Sequence, residues 1–369
     1  MIQHFVPISA GKDSTAVACL MVERMQKRDF GNRPPRFQFS DTDNENPITI
    51  EHLDHIEAQL GITIERLSAR SVPGLIDDAA FDRKRDVIRE RWPHELRRKR
   101  HSVACVDRRA VMRRAEWLAA CDCPIVVSPA VPQWRIDIAI EALKPTGNAF
   151  LDLCLIHGRF PSKKAKFCTD ELKLAPLRMH KEPIWAEGGS TIDWVGERAE
   201  ESPARAKKPI YQRTRMPAGG SAVIIRPIHK MSAHDVFAIA KRHGLRPNPL
   251  YLKGASRVGC WPCINCRKKE IRLVATLTPE KIEWLRMAET LVSLVSRRDQ
   301  GGAGDCASFF SADKVPGDPD DWGRARIDRV VEWARTGQGG RQFDMMQEIE
   351  RLQMESDGAY CDSEYGLCE

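Results

Sequence analysis

The apolar run Ile2–Ile8 empties directly into Ser9-Ala10-Gly11-Lys12-Asp13-Ser14, and a helix is predicted from Thr15 to Met25. A strand, a loop of small residues and a helix in that order set the helix N-terminus beside the strand end. Such a turn is an anion cradle, because loop N–H groups and the helix N-terminus converge on one point. Ala10 and Gly11 let the backbone come close to a ligand. Lys12 supplies a point charge, and the hydroxyls of Ser9 and Ser14 can donate. Asp13 can fix the loop or meet a Mg²⁺ ion, and Asp13 or Ser14 can cap the helix. The Gly-x4-Gly-Lys-[Ser/Thr] spacing of a Walker A loop is absent.

The first half of the chain repeats this alternation. Phe37–Phe39, Ile62–Leu67, Pro124–Ser128 and Thr191–Val195 read as strands, Pro124–Ser128 as a buried one, and Ile48–Leu60 reads as a helix. That order predicts an α/β fold with a doubly wound, mostly parallel sheet, whose ligands gather beyond the carboxyl ends of the strands. A length of 369 residues leaves room for a large domain and smaller additions. We expect a nucleotide-binding domain over 1–235, a cysteine-bearing segment over 236–298 that completes its site, and a linker with a helical C-terminal tail over 299–369. Within these, 201–222 reads as a basic loop, Gln300–Asp321 as a Gly-, Asp- and Pro-rich linker, and 324–355 as helix. The chain is 42% hydrophobic and 30% charged, the balance of a soluble protein. No run nears the ~20 apolar residues of a membrane span. A strand starts at once, so we expect no signal peptide, a cytoplasmic location and no membrane partner.

The net charge of +7 admits an anionic partner. Basic residues concentrate in Arg83–Arg114, predicted helical, which is either a solvated face or a track for DNA or RNA phosphates. Trp92 and Trp117 there either stack on bases or pack in a core. The 12 cysteines, in a chain without a secretory signature, point to metal or redox chemistry over a disulfide framework. Cys260, Cys263 and Cys266 recur at every third position, so their thiols share one side of a tight turn. Arg257, Arg267, Lys268 and Lys269 flank them and favour thiolates or a net-negative cluster. A closed site needs a fourth ligand, and Cys168 is the best candidate. Spacing alone leaves zinc and a four-iron cluster both open.

In combination these stretches resemble the superfamily of PP-loop ATP pyrophosphatases and PAPS reductases, which have an adenine nucleotide alpha-hydrolase-like fold. Ser9–Ser14 is similar to the SGGxDS loop, with Ala10 in place of the first glycine. Asp41-Thr42-Asp43 resembles the DTG-type turn, with Asp43 in place of glycine. Lys166–Leu177 resembles the segment of the iron–sulfur sulfonucleotide reductases in which paired cysteines precede a lysine and a proline. Cys168, Lys173 and Pro176 keep that spacing, and Thr169 stands where the second cysteine would be, so Cys266 takes the missing ligand's place. Trp194–Arg205 resembles the segment that holds a sulfate or phosphate, and Asn248-Pro249-Leu250-Tyr251 with Gly259-Cys260 resembles the family's NPLY…GC stretch. The resemblance implies an adenine nucleotide, ATP or PAPS/APS, held by Ser9, Ala10, Gly11, Lys12, Asp13, Ser14, Asp41, Arg198, Ser202 and Arg205. It implies catalytic roles for Lys12, Asp13 and Lys173, and a 4Fe-4S cluster, with zinc as the alternative, on Cys168, Cys260, Cys263 and Cys266.

Two chemistries share such a scaffold. ATP pyrophosphatases, including DNA-phosphorothioation enzymes of the DndC kind, activate an acceptor with ATP for sulfur insertion. Sulfonucleotide reductases release sulfite, using a thiolate on an ECGxH tail. Here the tail runs Glu364-Tyr365-Gly366-Leu367-Cys368, so Tyr365 sits at the cysteine position, and no cation lies nearby to lower the Cys368 thiol pKa. The expectation is therefore ATP-dependent sulfur transfer to an acceptor such as nucleic acid, with a sulfur-donor protein such as a cysteine desulfurase. The reductase is the runner-up, and a zinc-stapled nucleic-acid-binding module is a third reading.

Overall fold

A computed structural model describes residues 1–28, 30, 33–99, 116, 121, 123–163, 165–217, 219–299, 301–311, 315–316 and 321–337. Its strands are β1 (Ile2–Pro7), β2 (Arg36–Asp41), β3 (Ile64–Ser68), β4 (Leu96–Lys99), β5 (Ile125–Ser128), β6 (Ser190–Trp194), β7 (Tyr211–Arg215) and β8 (Ser221–Ile225). Six of them form one sheet in the order β3-β2-β1-β6-β8-β7. Every pair in it is parallel except β7, which runs antiparallel to β8 at the edge. The chain leaves β1 for β2 and β3, then returns to β6 on the other side of β1. The reversal of winding thus falls at β1, whose carboxyl end carries the 9–14 loop, and this is where a doubly wound sheet opens a crevice.

The helices are α1 (Lys12–Lys27), α2 (Pro47–Leu60), α3 (Asp78–Arg91), α4 (Gln133–Ala142), α5 (Ala149–His157), α6 (Ala175–Met179), α7 (Ala233–Arg242), α8 (Pro249–Leu252), α9 (Lys268–Leu277), α10 (Pro279–Leu294) and α11 (Ile327–Arg335), with single turns at Glu182–Ala186 and Pro203–Ala206. Local sequence sets several boundaries. Asn46 caps α2 by accepting from the Ile48 N–H at 2.9 Å ahead of Pro47, and Gly61 at φ 63° ends it. Ser232 and Asp235 form a reciprocal capping box on α7.

Burial falls into two clusters. One lies on the sheet and joins Val6, Ile8, Val17, Phe37, Leu53, Trp194 and Val236. The other is helical and joins Phe81, Ile136, Leu151, Leu250, Trp261, Ile264, Cys266, Leu285, Phe309 and Val330. Each fully buried large apolar side chain contributes about 1.5–3 kcal/mol. The helical cluster draws on α3 to α5, on α8 to α11 and on Phe309 and Phe310, and Trp261, Ile264 and Cys266 join the cysteine turn to it.

Several expectations shift. α1 starts at Lys12, because Gly11 stays extended (φ −89°, ψ 158°) and the residues after it are already helical. Pro124–Ser128 is not a buried strand. β5 pairs antiparallel with β4 in a separate hairpin, and Ile125, Val126 and Val127 are 58%, 45% and 44% exposed. Arg83–Arg114 is not one helix, since α3 ends at Arg91 and β4 follows. Residues 100–115 and Trp117 lie outside the described residues. Trp92 is buried, with the Arg135 guanidinium 5.8 Å from its ring centroid, and serves as core. The supposed loop 201–222 contains β7. Phe309 and Phe310 are each 1% exposed, so that part of the expected linker is packed. Residues 338–369, with Cys361 and Cys368, lie outside the described residues.

Candidate functional site

β1 delivers the loop to the crevice, and Ala10 turns left-handed there (φ 56°) despite its Cβ. The Ser14 hydroxyl closes the turn. It accepts from the Ser9 N–H at 3.0 Å, donates to the Gly11 carbonyl at 3.1 Å and lies 3.1 Å from the Ser9 Oγ. Distant segments brace the loop from behind. Asn248 Nδ2 donates to the Ala10 carbonyl at 3.3 Å, and the Tyr251 hydroxyl accepts from the Lys12 N–H at 3.1 Å. A Cβ on Gly11 would lie 3.7 Å from the Val258 carbonyl, so the approach to the cysteine turn also lines the loop. A Cβ on Gly196, just past β6, would lie 2.9 Å from the Asp13 carbonyl carbon and the Ser14 nitrogen. Glycine is what lets that segment rest on the first turn of α1.

Lys12 Nζ stands 3.1 Å from Asp13 Oδ2, and Arg198 Nε bonds Oδ1 of the same carboxylate. Arg198 also pairs with Glu200. Burial pulls the Arg198 guanidinium pKa down, but Asp13 and Glu200 outweigh it and raise the value. Both Asp13 oxygens are engaged, so the carboxylate fixes two cations in the loop.

Cys168 opens a π-helical turn, Cys168–Leu174, that also carries Lys173. Such turns recur at functional sites. Ser40, near the end of β2, anchors this one by donating to the Lys173 carbonyl at 2.9 Å. The turn after β2 then clamps the cysteine loop. Asn44 Nδ2 donates to the Pro262 carbonyl at 3.1 Å, the Trp261 N–H donates to the Asn44 carbonyl at 2.6 Å, and Glu45 bridges Cys260. Asp41 Oδ1 accepts from the Asp43 N–H at 2.9 Å, and Asp43 is left-handed at φ 56°.

The cysteines share one electrostatic environment. Burial pushes the Cys168 thiol up to about 11, helped by Cys260 and Cys263. Burial pushes Cys266 up to about 12, helped by Glu270 and Cys263. The Lys173 ammonium is raised first by Cys260, which it also hydrogen-bonds, and burial opposes this. Burial lowers the Arg257 value, but Cys263 and Glu270 outweigh it and hold the group charged. Four thiols that interact with the Lys173 and Arg257 cations are a soft donor set, suited by chemistry to a net-negative cluster or zinc. Among the described residues no three Cys, His, Asp or Glu side chains converge on a single-ion geometry.

The structure therefore brings Ser9 to Ser14, Arg198 and the Asn248–Tyr251 wall together, with Asp41 in the adjacent turn and Lys173 beside Cys260. The other two expected nucleotide contacts are engaged locally: Ser202 caps Pro203–Ala206 by accepting from the Arg205 N–H at 3.2 Å, and the Arg205 guanidinium pairs with Glu201. Three residues escaped the sequence reading. Burial raises the Glu45 value and Lys173 opposes it. Burial lowers Lys281 to about 8, and Glu45 and Cys260 oppose it. Cys154 is wholly buried and interacts with Cys168. Only Glu45 had a local signal, its place four residues past Asp41.

Residues 160–266, which run from just before the π-helical turn to the last cysteine of the site, match the phosphoadenosine phosphosulfate reductase domain. The chain is 37% identical, over 99% of its length and 96% of the other's, to a 37.8 kDa protein from the gpa 5′ region of Escherichia phage 186. The chain belongs to the PAPS reductase superfamily. The adenosine 5′-phosphosulfate reductase of Allochromatium vinosum is 30% identical over 34% of this chain and 46% of its own. That of Mesorhizobium japonicum is 27% identical over 34% and 41%. The chain thus spans less than half of each of these two reductases. A phosphoadenylyl-sulfate reductase of Candida auris, solved with phosphate, has a TM-score of 0.35 at 11% identity, over 71% of this chain and 82% of that one. As a PAPS reductase-like protein the chain has no helix, among the described residues, long and apolar enough to cross a membrane.

Proposed function

We propose that this chain is an adenine-nucleotide-dependent sulfur-transfer enzyme that activates a nucleic-acid acceptor with ATP. The observation that carries the reading is the position of Lys12, Asp13 and Arg198 at the mouth of the β1 loop, against the wall that leads into the cysteine turn. An acceptor oxygen attacks the α-phosphorus, a P–O bond to pyrophosphate breaks, and charge grows on the departing phosphates. Lys12, Arg198 and the N-terminus of α1 offset that charge. Asp13 holds both cations in place, and a Mg²⁺ ion, when bound with the nucleotide, would offset further phosphate charge. Cys168, Cys260, Cys263 and Cys266 would hold a 4Fe-4S cluster, with Lys173 and Arg257 balancing its charge. When bound, the cluster supplies electron- or sulfur-carrying capacity beside the nucleotide. The outer sulfur of a persulfide on a donor protein such as a cysteine desulfurase then attacks the activated atom, AMP leaves with the acceptor's oxygen, and a reducing thiol cleaves the resulting disulfide. The test is release of AMP and pyrophosphate from ATP by anaerobically prepared protein, with and without DNA or RNA. Stimulated release is expected, and no release in either case would overturn the reading.

The names of the reductase relatives favour a second reading, reduction of adenosine 5′-phosphosulfate to sulfite. Under that reading Cys368→Ser abolishes sulfite release.

A further inference from the structure

A cavity of about 860 Å³ opens between α3, the β4–β5 hairpin, the stretch after α5 and the stretch after α10. It lies within the size range of ligand pockets. Its described walls carry Lys84, Arg91, Arg159, Lys163, Arg297 and Arg298, and no Asp or Glu among the described residues. Ile264, between Cys263 and Cys266, forms part of its lining.

A wall of cations with no carboxylate calls for an anionic occupant, because like charges gathered in a concave site repel one another and focus a positive potential. Arg297 is committed to the scaffold: its Nη1 donates to the Arg91 carbonyl at 2.8 Å, and its Nη2 donates to the carbonyls of His94 and, at 3.0 Å, Pro129. Lys84 is different. Burial lowers its ammonium to about 8, and no carboxylate pairs with it among the described residues. Arg91, Arg159, Lys163 and Arg298 are exposed around it. The aromatic side chains in the wall, Trp92, Phe160, Phe309 and Phe310, are 6%, 6%, 1% and 1% exposed and present no face for a base to stack on. The recognition on offer is of phosphate and not of base.

We infer that this cavity is the seat of a nucleic-acid backbone, taken up through its phosphodiesters without regard to sequence. Its preference for phosphodiesters over other polyanions rests on the acceptor class proposed above. Lys84 forms the floor contact and Arg298 and Arg159 the rim. Phosphate contacts of this kind make affinity fall with salt, by about 0.7 in the log–log slope for each phosphate neutralised on a single strand.

The test is fluorescence anisotropy of a labelled single-stranded oligonucleotide with the full chain, without ATP, across a salt series. Lys84→Ala and Arg298→Ala should each weaken binding about tenfold at low salt and flatten the slope, across unrelated sequences. Lys84→Arg, which keeps the charge, should restore the affinity, and Lys253→Ala, at an exposed position just after α8 and outside the cavity lining, should change nothing. Wild-type affinity in both alanine variants would overturn the inference, as would wild-type protein that fails to bind. Displacement of the oligonucleotide by equimolar ATP or pyrophosphate would also overturn it, by marking a free-nucleotide site. Because ATP turnover plays no part in the titration, failure here is separable from failure of the ATP-activation reading.

Discussion

Ala10 and Asp43 are the two non-glycine residues with positive φ among the described residues, and both stand where the resembled family pattern has glycine. The backbone kept glycine's conformation while the side chain changed. A left-handed L-residue costs roughly 1–2 kcal/mol, yet a buried methyl returns about 0.8 and a stiffer unfolded chain about 0.4–1. These nearly cancel, so Ala10→Gly should shift stability by less than about 1 kcal/mol in urea unfolding. Ala10→Val should destabilise by more than about 2 kcal/mol, since a branched Cβ fits that conformation poorly. Asp43→Gly differs, because Asp43 Oδ2 accepts from the Ala149 N–H at 2.7 Å, and its removal leaves the first turn of α5 short of a partner. The loop residues were legible because charge, hydroxyl and small side chain were all local. What Tyr251 does was not, since its hydroxyl meets the Lys12 N–H from 239 positions away. Tyr251→Phe should cost about 1 kcal/mol in the same assay.

The nucleotide crevice is an assembly of element ends, and one glycine regulates how closely they meet. Gly196→Ala must push the segment after β6 off the start of α1, because the obstacle is backbone. Calorimetry should find ATP affinity reduced about tenfold or more, with an unchanged affinity counting against the crevice. Under the proposed function, Cys263→Ser should lose the cluster, read as iron and sulfide in anaerobically purified protein. The elements of the parallel sheet were readable because buried strands are continuous apolar runs. The same rule misled at Ile125–Ser128, where an apolar run serves an exposed hairpin. It also missed β7, whose Tyr-Gln-Arg-Thr-Arg sequence has no buried face to announce it. Cys168 and Cys260–Cys266 were legible as a set from chemistry, whereas Glu45, Lys281 and Cys154 reach them through packing.

At the scale of the molecule, Glu289 holds the C-terminal part of the helical core together. It is wholly buried, and its two oxygens accept from the N–H groups of Phe309 at 2.9 Å and Ile327 at 3.1 Å. Burial pushes its carboxyl up to about 7, against 4.5 ordinarily, despite those amides and Arg326. The folded state therefore keeps a proton that the unfolded chain has released. The resulting stability is complete below about 4.5 and is lost as pH rises through about 7, by about 3 kcal/mol at most. Urea melts at pH 5 and pH 8 should show that loss in the wild type and a smaller one in Glu289→Gln. The packing of Phe309 and Phe310 behind this carboxylate was hidden in a Gly- and Asp-rich stretch that reads as linker. The wall shared by the nucleotide loop and the cysteine turn, where Gly11 faces the Val258 carbonyl, has a thermodynamic corollary. Coupling between two sites is reciprocal. Under the proposed function, whatever factor an occupied cysteine site adds to nucleotide affinity, a bound nucleotide returns in full as resistance to loss of the metal. A cell that runs short of one ligand would thereby loosen the protein's grip on the other.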